Sequence, residues 1–267
     1  MGSVQTNGTG YFFVNSGKEA QTRFAGLSTI YDRATVRHLE DLGVGSGWHC
    51  LEIGGGSGSI AKWLADRVGS MGHVRVTDLD TRFLEPLKGP NLTVCRHNVG
   101  TDTLPEAAFD LIHTRLVLMH VPERDAALAQ MISSLKPGGW ILIEEYDSCS
   151  MPPDPVANPA ETILETHMAM LRLLEDNGVS RRYGRLLAGL LLARGLSSVG
   201  AEAQLFLWQG GSADIALMRA NLEQLRETMI ERNYITRQGF DRDLAQLDDP
   251  DLLMPSSILW SAWGRRP

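Results

Sequence analysis

Apolar positions along the chain follow two rhythms that take turns. Residues 48–53 form a short apolar run ending in glycines, which predicts a buried strand. Residues 60–68 then place Ile60, Trp63, Leu64 and Val68 at the spacing of an amphipathic helix. Further strands are predicted at 74–78, 91–96, 109–113 and 140–144. Before the last of these, Leu128, Met131, Ile132 and Leu135 form a helical stripe that Lys136-Pro137-Gly138-Gly139 should break. Strands alternating with helices imply a parallel sheet covered on both faces, with right-handed crossings. Ligands of such sheets sit beyond the carboxyl ends of the strands, at the switch point.

The flanks are more helical. A polar start over residues 1–10, expected to be disordered, leads to the aromatic patch Tyr11-Phe12-Phe13-Val14. A helical stretch over 18–42 follows, with Phe24, Leu27, Ile30, Tyr31, Val36 and Leu39 on one side. After the fifth strand, the proline-rich residues 151–159 interrupt the pattern. A helical insert over 160–175 and a Leu-rich helix ending at Arg194-Gly195 come next; this cap is too short to hold a core of its own. Residues 201–207 predict a sixth strand, 213–231 and 237–247 two helices, and 257–263 a last strand. The division expected is a helical lid at 1–45 and a main domain at 46–267 with the cap inserted at 151–195.

The chemistry gathers at Cys50-Leu51-Glu52-Ile53-Gly54-Gly55-Gly56-Ser57-Gly58-Ser59. Glycines there let backbone approach a ligand, and the helix behind them offers N–H groups. The spacing is G-x-G-x-G, with Ser59 where a dinucleotide fingerprint would have its third glycine. Twenty residues beyond Gly58 the second strand ends on Asp78, the place for a carboxylate that binds a ribose. Asp80 is a rival, disfavoured by its position past the strand end.

The order E-x-G-G-G-S-G, V-T-D-L-D and L-K-P-G-G-W closely resembles class I S-adenosylmethionine-dependent methyltransferases. The segments 109–122 and 263–267 resemble a bacterial branch directed largely at small molecules. The resemblance implies a seven-stranded, mostly parallel, doubly wound (Rossmann-like) α/β sheet, its last strand antiparallel between the fifth and sixth. It implies S-adenosylmethionine as cofactor, with Gly54, Gly56 and Ser57 in the turn and Glu52 orienting the methionine end. Asp78, beside Leu79, would accept from the ribose hydroxyls, since a carboxylate offers two acceptor oxygens. Asn98 stands where the family commonly has Asp; its amide oxygen would accept from the adenine amino group, and Val99 would offer its N–H. Arg115 would bind the cofactor carboxylate, or pair with Asp110 or Glu123. Arg23 and Tyr31 are lid residues placed to touch cofactor or substrate.

For the acceptor, His120 is the first candidate base and Glu145 the second. A neutral imidazole takes a proton near neutrality, whereas an exposed carboxylate is a weak base. His113 reads more readily as a core histidine. Glu144, Glu145, Tyr146 and Asp147 leave the fifth strand together, though action without a metal is the default. Tyr11, Tyr146, His167 and Tyr183, with Trp208, are candidates for lining an acceptor site. The expected function is methyl transfer to a small-molecule acceptor such as a secondary metabolite, with oxygen, nitrogen and carbon acceptors all open. Two alternatives stand beside it: a protein of this fold that holds the cofactor without transferring methyl, and a nicotinamide-dependent dehydrogenase.

Composition narrows the partners. A formal charge of −7 over 267 residues argues against nucleic acid, which needs a basic face. No apolar run reaches membrane-spanning length, and the start lacks a basic-then-apolar signal pattern. Cys50, Cys95 and Cys149 are widely spaced and odd in number, so free thiols and a cytoplasmic setting are expected, with no structural zinc.

Overall fold

A computed structural model describes residues 18–149 and 164–267. In chain order the elements are α1 (Lys18–Asp41), β1 (His49–Ile53), α2 (Ser59–Val68), β2 (His73–Asp78), β3 (Leu92–Arg96) and β4 (Phe109–Arg115). Then come α3 (Arg124–Ser134), β5 (Leu135–Asp147), α4 (Glu165–Asp176), α5 (Tyr183–Ala193) and β6 (Ser197–Gln204). The remainder is β7 (Leu207–Gln209), α6 (Ala213–Glu231), α7 (Arg237–Gln246), β8 (Leu253–Pro255) and β9 (Ile258–Arg265).

Seven strands form one sheet in the order β3-β2-β1-β4-β5-β9-β6. Pairing is parallel from β3 through β5, and β9 lies antiparallel between β5 and β6, as expected for the last strand. Chain order reverses between β1 and β4, so the switch point opens beside the glycine turn. Side-chain alternation divides the core in two. Leu51, Ile53, Ile112, Ile141 and Ile143 face a core shared with α3, α4, α5 and α6. Cys50, Leu111 and Leu142 face the opposite core, with Leu64 of α2 and Leu39 of α1. The end of α1 is thus part of the sheet's packing, and the cap helices share the main core.

Three predicted boundaries change. α3 stops at Ser134, and Leu135 opens β5, so Lys136-Pro137-Gly138-Gly139 is an irregularity inside a strand rather than the stop of a helix. The register jumps there, from Phe109 opposite Leu135 to Leu111 opposite Trp140, and Gly138 has φ +81°. β6 starts earlier than expected and ends at Gln204; Leu207–Gln209 pairs instead with Leu253–Pro255 in a separate two-stranded sheet. The proline-rich segment and the start of the insert lie outside the described residues. The three cysteines are free; Cys50 is buried, Cys95 half-buried and Cys149 exposed. No helix among the described residues is long and apolar enough to cross a membrane.

A buried polar row crosses the α1 face of the sheet. Glu52 on β1 and His113 on β4 are register partners, and their Oε2 and Nδ1 atoms lie 2.6 Å apart. His113 Nε2 is 3.2 Å from Glu144 Oε2 on β5, and Ser261 on β9 donates to Glu144 Oε1 at 2.6 Å. From above, Thr35 of α1 donates to Glu144 at 2.5 Å, while Arg115 donates to Thr35 Oγ1 and to Asp32, each at 2.8 Å. Burial works against a charge on His113, but Glu52 and Glu144 outweigh it and raise its pKa to about 9. Burial likewise opposes the charge on Glu144, yet the imidazolium and its other partners bring it down to about 2. The histidine is in the core, as the sequence suggested, but as a cation between two acids. Glu52 is not a solvated strand-end carboxylate.

Removing one member of such a row strands the others, which costs about 3–5 kcal/mol. His113→Leu should show a deficit of that size in urea unfolding below pH 6.5, where the folded and unfolded imidazoles are both charged. A raised pKa gives stability that is lost as pH rises through about 9, so the deficit should shrink there. An equal deficit on both sides of that window would mean that the folded imidazole is neutral.

Candidate active site

The carboxyl ends of β1 and β2 form one end of the site. Gly54, Gly56 and Gly58 adopt φ of +72°, +55° and +81°, in the left-handed region that side chains disfavour. The amides of Gly54 and Gly55 donate to Thr77 O at 2.8 and 3.0 Å, tying the turn to β2. A Cβ at Gly54 would lie 2.2 Å from Val117 Cγ2, and one at Gly56 would lie 3.3 Å from the Phe24 ring. The turn is therefore roofed by α1, and Ser28 Oγ sits 3.1 Å from Ser59 Oγ.

Asp78 ends β2 with Oδ2 accepting from Gly56 N at 3.0 Å and Oδ1 from Asp80 N at 3.1 Å. Burial raises its pKa, against these backbone donors. Asp78 lines the cavity, and its two carboxylate oxygens are the pair of acceptors a vicinal diol requires. Asp80 points away and forms an ion pair with Arg82. Asn98 accepts from Gly100 N at 3.0 Å through Oδ1, so an adenine amino group would meet the second lone pair of that oxygen.

These groups open onto a cavity of about 350 Å³. Its wall holds Glu52, Gly54, Gly56, Ser57, Asp78, Leu79, Asn98, Val99, Arg115 and Arg23, the cofactor residues expected from sequence apart from Tyr31. Arg115 pairs with Asp32 of α1, not with Asp110, which Lys136 takes at 2.7 Å, and not with Glu123. Arg23 is buried and donates to Gln224 of α6 at 3.2 Å. His120, Tyr146 and His167 also reach the cavity.

Three expected site residues do not. Tyr31 is wholly buried behind the wall, where its hydroxyl accepts from Tyr146 at 2.8 Å. Strand alternation separates the four residues leaving β5: Glu144 and Tyr146 face α1, while Glu145 and Asp147 face α5. Glu145 Oε1 accepts from the amides of Leu118 and Val117 at 2.6 and 3.1 Å, and Asp147 pairs with Arg185. Glu145 therefore holds the turn that carries His120 instead of facing an acceptor; burial pushes its pKa up to about 8, against those two amides. Tyr183 packs behind β5 on α5, under the guanidinium of Arg124. Tyr11 lies outside the described residues. No cluster of three potential metal ligands occurs among the described residues.

His120 sits on the short 3-10 turn Leu118–His120. Burial, with the charges of Arg23 and Arg124, lowers its pKa to about 4, so it is a far weaker base than the sequence suggested. Sequence reasoning also missed α6, whose Leu217, Met218 and Asn221 line the cavity. The signal was there: Asn221 follows Leu217 and Met218 at helical spacing, a polar residue set into an apolar stripe.

A doubly wound sheet with a glycine turn at its switch point and an acid ending the next strand defines a nucleotide-cofactor domain. Residues 51–143 match the methyltransferase domain family. The chain is 32% identical over 137 residues to the ubiquinone/menaquinone biosynthesis C-methyltransferase UbiE of Laribacter hongkongensis. That match covers 49% of this chain and 55% of the relative, so the chain spans about half the length of the curated relatives it matches. Among solved structures, phosphoethanolamine N-methyltransferase 2 of Haemonchus contortus, bound to S-adenosylhomocysteine, superposes with TM-score 0.60 at 16% identity, covering 95% of this chain and 59% of that one. The [4+2]-cyclase SpnF superposes with TM-score 0.52 at 17% identity, over 88% and 80%. The matched family is one of methyl transfer rather than hydride transfer, which counts against the nicotinamide alternative.

Asp78→Ala should weaken S-adenosylmethionine binding by roughly 10- to 100-fold, since a charge-assisted hydrogen bond is worth about 1.5–3 kcal/mol. Asp80→Ala should leave affinity unchanged. Calorimetric titration of both variants checks the pair, and equal losses would remove Asp78 from the ribose role.

Proposed function

We propose that the protein transfers a methyl group from S-adenosylmethionine to a small-molecule acceptor. The observation behind this reading is the continuity of one cavity: the glycine turn and Asp78 stand at one end, and α4, β7 and α6 wall the other. The cofactor supplies an electrophilic methyl group. The chain's own residues hold the two reactants in line, and orientation alone is worth up to about 7–11 kcal/mol. Residues Glu52, Gly54, Gly56, Ser57, Asp78, Leu79, Asn98, Val99 and Arg115 hold the donor, and α1 covers it with Phe24 and Arg23. The UbiE relatives are named for C-methylation in quinone biosynthesis, which supports a carbon acceptor among the three kinds of atom.

His120 is the residue closest in role to a base, yet with a pKa near 4 it accepts a hydrogen bond better than it takes a proton. It therefore positions the acceptor, and the acceptor's own nucleophilicity drives the displacement. A second reading follows from the same observation. His120 and His167 are both depressed to about 4, and Glu145 faces away, so no group of ordinary basicity among these candidates meets the acceptor. A protein that binds the cofactor without transferring its methyl would also look like this, since fold does not fix chemistry.

Small molecules co-purifying with the native protein, identified by mass spectrometry and returned with S-adenosylmethionine, separate the two. The first reading expects a product heavier by one CH₂ together with S-adenosylhomocysteine; cofactor binding without either supports the second. Within the first, His120→Ala should cost much less than the roughly 10²–10⁴-fold loss of a general base. Any acid limb in kcat belonging to His120 should fall near pH 4. A limb near pH 6.5 that vanishes in the variant would restore the base.

A further inference from the structure

Behind the far wall of the cavity lies a second, smaller one of about 40 Å³. Ser148, His167, Leu171 and Ser257 line both, so a single layer of side chains divides them. His167 and Leu171, one turn apart on α4, form one side of that layer. Ser148 and Ser257 form the other, with their hydroxyl oxygens 2.8 Å apart. The β5–β9 ladder ends with Asp147 opposite Ile258, and the two serines face each other one step beyond it. Both are half-buried rather than sealed off.

The backbone at this pair is held independently of its hydroxyls. Ser148 N donates to Arg181 O at 2.8 Å, and Ser257 O accepts from Ser256 Oγ at 2.8 Å. Among the described residues the two hydroxyls bond only each other. Parting them therefore asks for rotation of two short side chains and no movement of the chain. Two hydroxyls carry two protons, and their mutual bond uses one. The second proton and the remaining lone pairs suit an ether, hydroxyl or carbonyl oxygen placed between them.

The lining sets what the smaller cavity accepts. Met168, Met254, Pro255 and Ile258 make it largely apolar. Asp147 also lines it, but its side chain has no exposed surface and is spent on Arg185 at 2.6 Å and the amide of Cys149 at 2.9 Å. A volume of about 40 Å³ admits roughly three non-hydrogen atoms, since a water needs about 10–15 Å³ of such space.

We infer that the smaller cavity is a subsite of the acceptor site, entered between Ser148 and Ser257, and that it takes a short, uncharged, apolar branch joined to the acceptor through an oxygen. This rests on the methyltransferase reading only in taking the occupant of the larger cavity's far end as the acceptor. The serine pair reads the oxygen at the branch point, and the small volume beyond it limits the length of the branch.

The test measures, by calorimetry with S-adenosylhomocysteine present, the binding of 2-naphthol, 6-propoxy-2-naphthol and 6-octyloxy-2-naphthol. Wild-type protein should bind the propoxy probe at least about 10-fold more tightly than naphthol, and the octyloxy probe should gain nothing further. Met168→Trp fills the smaller cavity from a residue that does not line the larger one. It should abolish the gain and leave naphthol's affinity unchanged. Ser148→Cys with Ser257→Cys, in a Cys149→Ser background, locks the dividing layer, because opposed positions of an antiparallel pair lie within reach of a disulfide. The gain should vanish on oxidation and return on reduction of the same protein, a comparison that stands even where Met168→Trp does not fold. No gain in wild-type protein, or a gain that persists in Met168→Trp or in the oxidised protein, would overturn the inference. A parallel titration with S-adenosylmethionine keeps the two ideas apart. Normal cofactor binding without a propoxy gain sinks the subsite alone, whereas absent cofactor binding sinks the methyltransferase reading.

Discussion

The arrangement of this molecule depends on a single buried cation held between two acids. His113 lies in the middle of the sheet, with Glu52 on one neighbouring strand and Glu144 on the other. Each charge is tolerable only because of the next, since an isolated ion in that setting would be strongly disfavoured. The row fixes the relative positions of β1, β4 and β5 at their carboxyl ends, where the cavity opens. Through Thr35, and through Asp32 and Arg115, it also fixes α1 over the sheet. The roof of the cavity and its floor are thus held by the same set of hydrogen bonds.

On the other face of β5, Glu145 does the complementary work. It takes two amides of the turn after β4, whose first residue, Leu116, has φ +58°. A left-handed leucine persists only where its surroundings hold it. Neighbouring residues of one strand therefore support the two sides of the site separately: Glu144 helix α1, Glu145 the turn that carries His120. Tyr146 and Asp147 repeat the division, one bonding α1 and the other α5.

The sheet was largely legible in the sequence because period-two and helical patterns are local properties. The glycine spacing and Asp78 were legible for the same reason, since turn, helix start and strand end are contiguous or nearly so. What could not be read was which side of a strand a residue faces relative to distant helices. Glu145, Tyr31 and Tyr183 look like site residues by their neighbours in sequence, and alternation or packing turns each away from the cavity. Asn221 was hidden for the opposite reason. It lies in a helix far from the motifs, and only folding brings that helix across from the glycine turn. The basicity of His120 was misjudged because burial and two arginines, neither adjacent in sequence, set it.

The contact between Gly54 and Val117 has a consequence for how such a site could diversify. The methyl of Val117 occupies the space that a side chain at 54 would need, so the cavity wall at 117 packs directly against the glycine turn. Enlarging position 117 would press on the glycine turn, and position 54 has no side chain to give up in exchange. Change in the shape of the cavity is thereby channelled toward α4, β7 and α6, which wall its far end. The glycine turn would stay fixed while the far wall changes, by geometry alone.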